Sequence, residues 1–411
     1  MRLALIGPSA PLRGGIAQYN DHLAAALAAR GHDVRRLSYR RLYPRLFFPG
    51  RTQYEPAARP AGAGASDTGV RCGGAGSRGA LPDAVALLDS LGPRSWVRVA
   101  DAARGADAAL FEWWHPFFAP ALVALAILLR RRGVPTIAVC HNLEPHEPIP
   151  GGALVARLAL AQAAGFVVQS GLDAARIRAR RPNAPVALVL HPAEAPPPCT
   201  HGDVAASLSS PEGRARRDAC ARALGIPPAP RRLLFFGYVR AYKGLPTLLE
   251  ALPALPADVQ LVVAGEIYHR DAGHYRALAQ RLGVAERVVL LDRFVAGPDV
   301  GCCFGAADVV VLPYWSASQS GVAPLAMACG RAVVASDVGG IPDLVRSGET
   351  GLLVPPRDPA ALAAALLRAL EQAPRFGAAG AAVAARTLTW DAAAATVETL
   401  IATVSASRRS W

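Results

Sequence analysis

Three observations in the sequence predict two doubly wound, parallel α/β domains. Short β-branched runs alternate with Ala/Leu-rich helical stretches nearly throughout, the alternation restarts after a Pro-rich break, and a glycine-rich turn follows the first strand of each half. The length of 411 residues is about twice the usual single domain, and 52% hydrophobic residues suffice to fill two cores.

The first domain is expected over residues 1–192. Its strands are read at Leu3–Ile6, Val34–Ser38, Ala108–Trp113, Thr136–Cys140, Phe166–Gln169 and Val186–Leu190. Within it, Pro56 to Ala80 is almost entirely Ala, Gly, Arg, Pro and Ser; it cannot bury enough apolar surface to order itself and reads as a mobile loop. Residues 193–230, with the run Pro196–Pro198, read as a linker. The second domain, 231–385, repeats the rhythm at Leu233–Phe236, Val259–Ala264, Val288–Leu291, Val309–Leu312, Val333–Ser336 and Leu352–Val354. The remaining stretch, 386–411, is helical from Trp390 to Val404 and is expected to cross back onto the first domain.

Charge and cysteine usage narrow the function classes. Lys and Arg outnumber Asp and Glu by 44 to 31, a formal charge of +13 that points to an anionic partner. The basic residues are dispersed, without the aromatic interleaving or zinc-finger spacing of nucleic-acid binders, so nucleic acid is not the expected partner. Seven cysteines without any CxxC pair read as buried thiols of a reducing compartment, which makes a cytoplasmic location the expectation. MRLALIGPS is too short for a signal peptide and reads as a first strand. The longest apolar stretch, Phe117 to Leu129, is shorter than the roughly 20 residues a bilayer requires.

Two glycine-rich turns carry the candidate chemistry. After the first strand, GPSAPLRGG places Gly14 and Gly15 before a helix, where backbone N–H groups can approach a phosphate; the alternative is an ordinary Gly-rich turn. In the matching place of the second half stands FFGYVRAYKGLPTLLEAL, with Arg240 and Lys243. Lys243 is the only lysine of a chain whose other 43 basic residues are arginine. A site that needs a compact ammonium close to one oxygen is a reason to retain lysine, and chance survival on a solvated surface is the alternative.

On these turns, on GHDV at 31–34, on a strand ending in His141 and on AMACGRAVVASDVGGIPDLVRSGETGLLVPPRDPAAL from Ala326 to Leu362, the chain resembles the family 4 glycosyltransferases. The resemblance implies the GT-B fold, two Rossmann-like domains facing each other across a cleft, and a retaining sugar transfer from a UDP- or GDP-linked donor. It implies a glycan or polyprenyl/lipid-linked acceptor, and no further cofactor. By the family's pattern, Lys243 and Arg240 hold the donor diphosphate, Gly14 and Gly15 cover it, His141 lines the sugar pocket and Arg293 sits near the base. The chain has no DxD motif, and no metal is expected; Asn142, Glu144, His146 and Glu147 beside His141 lack the helical spacing of metal ligands.

The sequence departs from that pattern at two places. The arginine usually found directly after the clamp glycine is replaced by Tyr238, and the family's paired glutamates align with Ala317 and Leu325. SASQSG, residues 316–321, stands there instead: Gln319 and Ser320 can bond hydroxyls or phosphate oxygens, and Gly321 permits close backbone approach. A non-catalytic sugar-nucleotide-binding protein and a sugar-nucleotide epimerase are the alternative readings. Arg40, Arg41, Arg45 and Arg51 flank LYPRLFFPG, a basic and aromatic segment expected either to touch an anionic membrane at the inner face or to form a buried loop with solvated arginines.

Overall fold

The computed structural model describes residues 1–44, 53–54, 83–143, 150–196, 199, 210–267, 272–295 and 297–409. The loop expected over 56–80, the segment 144–147, and Arg45 and Arg51 lie outside the described residues. The described residues divide into two compact units; the first holds those up to Leu190 together with the helix that starts at Trp390, and the second holds those from His191 to Thr389.

The first unit contains a seven-stranded parallel sheet of β1 (Arg2–Ile6), β2 (Asp33–Arg41), β3 (Val85–Asp89), β4 (Ala108–Trp113), β5 (Thr136–Cys140), β6 (Gly165–Val168) and β7 (Val186–Leu188), in the order β3-β2-β1-β4-β5-β6-β7. Strand order reverses between β1 and β4, so their carboxyl ends open a ligand-binding crevice of the doubly wound kind. Strand β3 was not expected from the sequence. Its VALLD is composed largely of good helix formers, and it is extended because it pairs with β2, Leu37 opposite Val85, through two register shifts.

The second unit has a six-stranded parallel sheet of β8 (Arg231–Phe236), β9 (Val259–Ala264), β10 (Val288–Leu291), β11 (Val309–Leu312), β12 (Ala332–Ser336) and β13 (Gly351–Val354). Its order, β10-β9-β8-β11-β12-β13, again reverses at the first strand, between β8 and β11. Strands β9, β11 and β12 are buried along their whole length, as the near-continuous Val/Ala/Leu runs of two-sided strands require.

One helix differs in place from the linear reading, and the last helix lies on the first unit as that reading expects. The second half of the stretch read as a linker is a helix, Pro211–Ala223, capped by the Ser210 hydroxyl accepting from Gly213 N–H. Its inward residues include Arg217, paired with Asp308 at 2.9 Å, and Cys220, so it lacks the apolar stripe that announces a helix. The helix Trp390–Arg409 packs on the helix Gly15–Ala29 of the first unit, with Trp390 stacked 5.0 Å from His22 and Arg30 bridging Asp391 and Glu398. Among the described residues no helix is long and apolar enough to cross a membrane. Of the flanking arginines, Arg41 pairs with Asp89 at 2.8 Å and Arg40 lies 3.8 Å from the same carboxylate.

Candidate functional site

In the second unit, the chain leaving β8 turns at Gly237, whose N–H donates to the Ala264 carbonyl at the end of β9. It pairs once more, Val239 N–H to the Glu266 carbonyl, and then coils through Ala241–Lys243 into the helix Leu245–Ala251. Gly244 joins the two with φ 69°, and a side chain there would collide with the Pro313 carbonyl, so glycine is obligatory. This close approach brings the turn after β8 against the turn after β11, at the point where the strand order reverses. Trp315 fastens the junction: its N–H donates to the Tyr242 carbonyl at 2.7 Å and its indole to Thr247 at 3.0 Å.

Lys243 lies at this junction, 9% exposed. Its Nζ is 5.6 Å from the centre of the Tyr314 ring, and a Cβ at Gly237 would stand 3.0 Å from it. Among the described residues no carboxylate pairs with this ammonium and no acceptor is hydrogen-bonded to it. Burial pushes the amine down to about 8, with the like charge of the half-buried Arg240 adding to the effect. A buried cation without a counter-charge is costly, and an anion binding there would relieve that cost.

The turn after β11 holds SASQSG. Ser320 is buried, and its hydroxyl oxygen accepts from Val322 and Ala323 N–H at the start of the helix Val322–Ala328. Its oxygen accepts both bonds in holding the loop, and its O–H remains to donate. Gln319 has a buried Oε1 without a partner among the described residues. Gly321 has an ordinary helical φ of −79°, so no conformational demand selects glycine there. Space does: a Cβ would stand 3.2 Å from His191 Nε2. His191, which the sequence reading did not single out, is therefore the neighbour that Gly321 accommodates. Behind the loop, Gly339 at φ 55° lies flat on the Ala317 carbonyl and Gly340 N–H donates to the Ser318 carbonyl, which explains the glycine pair in DVGG. Arg293 follows β10, half exposed and ion-paired to Asp299 at 2.7 Å.

In the first unit, Gly14 takes φ 123° and caps the helix Gly15–Ala29, and a Cβ at Gly14 or Gly15 would meet nothing within 4 Å. The opening of that helix has no acidic residue and no side-chain cap, so its backbone N–H groups are uncovered by side chains. His141, at the carboxyl end of β5, is 3% exposed with both ring nitrogens engaged. One is 2.5 Å from Glu112 Oε2, the other 3.1 Å from Gln169 Nε2, and the Tyr19 ring meets the imidazole edge-on at 4.9 Å. Burial raises the Glu112 carboxyl while His141 opposes that rise. Glu112 is the residue that sequence reasoning missed: it sits in the apolar run ALFEW, and only the topology brings β4 beside β5. Trp113 is fully buried, and the Trp114 indole donates to the Tyr43 hydroxyl at 3.0 Å. A cavity of about 600 Å³ lies at the other edge of this sheet, beside Thr136, Arg181 and Pro185 at the amino ends of β5 to β7, away from these groups.

Two family models match the chain: the glycosyl transferase 4-like domain over residues 14–193 and the glycosyl transferases group 1 over residues 230–372. Among curated proteins, it is 39% identical over 189 residues to a D-inositol 3-phosphate glycosyltransferase of Xylanimonas cellulosilytica, 45% of each chain. It is 34% identical over 202 residues to the enzyme of the same name from Corynebacterium diphtheriae, 47% of each. The matched stretch thus spans under half the length of these curated relatives. Among solved structures, sucrose-phosphate synthase from Thermosynechococcus elongatus superposes with a TM-score of 0.69 at 20% identity, covering 99% of both chains. Anabaena HepE in complex with UDP gives 0.70 at 18% identity over 98% of this chain and 100% of that one. At such identities the likeness speaks for the fold.

Proposed function

The chain belongs to the family 4 glycosyltransferases, of GT-B fold, and from that premise we propose that it transfers a sugar from a nucleoside-diphosphate donor held by its second unit. The observation that carries this reading is Lys243, a buried ammonium with no counter-ion among the described residues, at the carboxyl ends of β8 and β11. A diphosphate supplies the missing negative charge, and Arg240 three residues earlier adds a second cation. Anabaena HepE has been crystallised with UDP and with UDP-glucose, and starch synthase IV of Arabidopsis thaliana with ADP, which supports a nucleotide-sugar as the ligand class.

The chemistry follows from charge. As the glycosidic bond breaks, positive charge develops on the sugar and negative charge on the departing diphosphate, so fixed cations that meet the leaving oxygens stabilise the transition state more than the ground state. Lys243 and Arg240 are assigned that role. Gln319, with its unpartnered carbonyl, is assigned to a donor hydroxyl, in place of the carboxylates that Ala317 and Leu325 lack. Arg293, also of the second unit, is assigned to the base end of the donor. The outcome is retention of anomeric configuration, with a glycan or lipid-linked acceptor at an anionic membrane surface.

The test is a thermal-shift screen of UDP-, GDP- and ADP-sugars on the purified protein, followed by product analysis with and without acceptor. Stabilisation by one donor and acceptor-dependent product support the reading. A product formed without acceptor turns it into the epimerase alternative, and no response to any nucleotide diphosphate removes it.

A further inference from the structure

Apolar side chains are not spread evenly over the surface. Every large hydrophobic residue that stands exposed among the described residues belongs to the first unit, and none to the second. Three of them share one short helix, Gly152–Leu160: Leu154, Val155 and Leu158, which are 56%, 42% and 58% exposed. That helix turns Ala156, Ala159 and Leu160 into the core, so its outer face carries these three side chains and Arg157. A lone exposed leucine is ordinary, whereas an aliphatic face left open on adjoining turns marks a contact surface.

The helix is one of four on the same face of the first sheet. Val99 of Pro93–Ala102, Leu125 of Ala119–Arg131, Ala159 of Gly152–Leu160 and Ile177 of Gly171–Arg180 all join one core cluster. These helices carry eight arginines and only two acids, which sets the sign of the face. Asp101 is paired with Arg132 at 2.8 Å, and Asp173 is buried 3.6 Å from Arg176, so both acids are already answered within the protein. Arg157 has no carboxylate partner among the described residues. On the opposite face of the sheet, the helix Trp390–Arg409 sets Asp391 and Glu398 against Arg30 instead.

We propose that the helix Gly152–Leu160 docks the protein on an anionic lipid bilayer, with Leu154, Val155 and Leu158 entering the acyl boundary and Arg157 and the arginines of the neighbouring helices meeting lipid phosphates. Arginine suits the place, because its apolar stem stays among the leucines while the guanidinium reaches a phosphate. Two other occupants fit the face less well. A second copy docking by the same surface would set these arginines against their own counterparts. A nucleic-acid strand would find aliphatic side chains on this helix where its bases need aromatic planes. The surface is also distinct from the segment around Arg40 and Arg41, whose guanidinium groups lie by Asp89. The helix follows β5, whose carboxyl end carries His141, and docking there suits an acceptor that keeps its lipid end in the bilayer. The inference deepens the acceptor side of the proposed function and rests on that reading only there, since docking needs neither nucleotide nor acceptor.

The test is flotation of the purified full chain with vesicles of phosphatidylcholine alone or with about one third phosphatidylglycerol, without nucleotide. The chain should float with the anionic vesicles and not with the neutral ones, and binding should fall as salt rises. The double variant Leu154→Gln/Leu158→Gln should bind at least about tenfold more weakly. Arg157→Gln should bind about fivefold more weakly, the share of one arginine near a charged surface. Both should keep the wild-type melting temperature and, without vesicles, the wild-type thermal response to nucleotide, which separates this proposal from the donor reading. Equal binding to neutral and anionic vesicles, wild-type binding by the double variant, or a wild-type chain that floats with neither would overturn the proposal. So would a dimer in analytical ultracentrifugation that the double variant abolishes, because a second copy would then cover the face.

Discussion

The two sheets present contrasting chemistry at the carboxyl ends of their strands. At the carboxyl ends of β4 and β5 in the first unit, the ionisable groups answer one another: Glu112 meets His141, and Gln169 takes the second ring nitrogen. At the carboxyl ends of β8 and β11 in the second, Lys243 and Arg240 are neighbours of like charge, and the buried ammonium has no acid. The first cluster pairs its acid with its imidazole, whereas the second holds a cation that no acid meets among the described residues. That difference in charge supports the proposal that an outside anion completes the second cluster.

The largest effect expected to break this contrast is at Gly244. Gly244→Ala places a methyl on the Pro313 carbonyl at a positive φ, and should destabilise the second unit by about 3 kcal/mol or more, read by urea denaturation. A wild-type midpoint would mean that the two turns are not packed as described.

Next is Lys243→Met. The protein should lose about ten- to hundredfold in UDP or GDP affinity, the worth of roughly 1.5–3 kcal/mol for a charge-assisted hydrogen bond, while remaining folded. Its stability should change with a defined sign. Because the folded-state amine titrates near 8, against 10.5 for a free lysine, the unfolded chain binds more protons between these values. Wild-type stability on this group's account therefore rises with pH from about 8 to 10.5, by on the order of 3 kcal/mol, and the methionine variant should lack that rise.

Glu112→Ala should cost about 2–3 kcal/mol by leaving a buried imidazole nitrogen unpaired, and Glu112→Gln, which keeps an acceptor, clearly less. Neither should change nucleotide affinity if the contrast between the units holds; a tenfold loss in Glu112→Gln would abolish it. Smallest is Arg293→Ala, which removes an exposed ion pair and should shift stability by under about 1 kcal/mol and nucleotide affinity by less than severalfold, read by calorimetry.

Much of this was legible in the sequence because local signals agreed with the fold. All six strands of the second sheet stand where their Val/Leu/Ala runs placed them, since buried parallel strands are apolar on both faces. Lys243 stood out by composition alone. What was hidden depends on partners distant in sequence. The strand at Val85–Asp89 owes its state to β2, Arg217 hid a helix by being both polar and inward, and Glu112 gains meaning only beside His141. The closeness of Gly321 to His191 is likewise a contact that no linear pattern encodes.

The most direct test of the central claim is the proton count on nucleotide binding. Near pH 8.5 a large share of the Lys243 amines is neutral in the free protein, and a bound diphosphate should restore the charge. Titration calorimetry with UDP or GDP in buffers of different ionisation enthalpy should then show uptake of more than about half a proton at pH 8.5, little at pH 6.5, and the difference should vanish in Lys243→Met. Binding of wild-type affinity in that variant, or uptake that it leaves unchanged, would contradict the assignment of Lys243 as the cation completed by the donor.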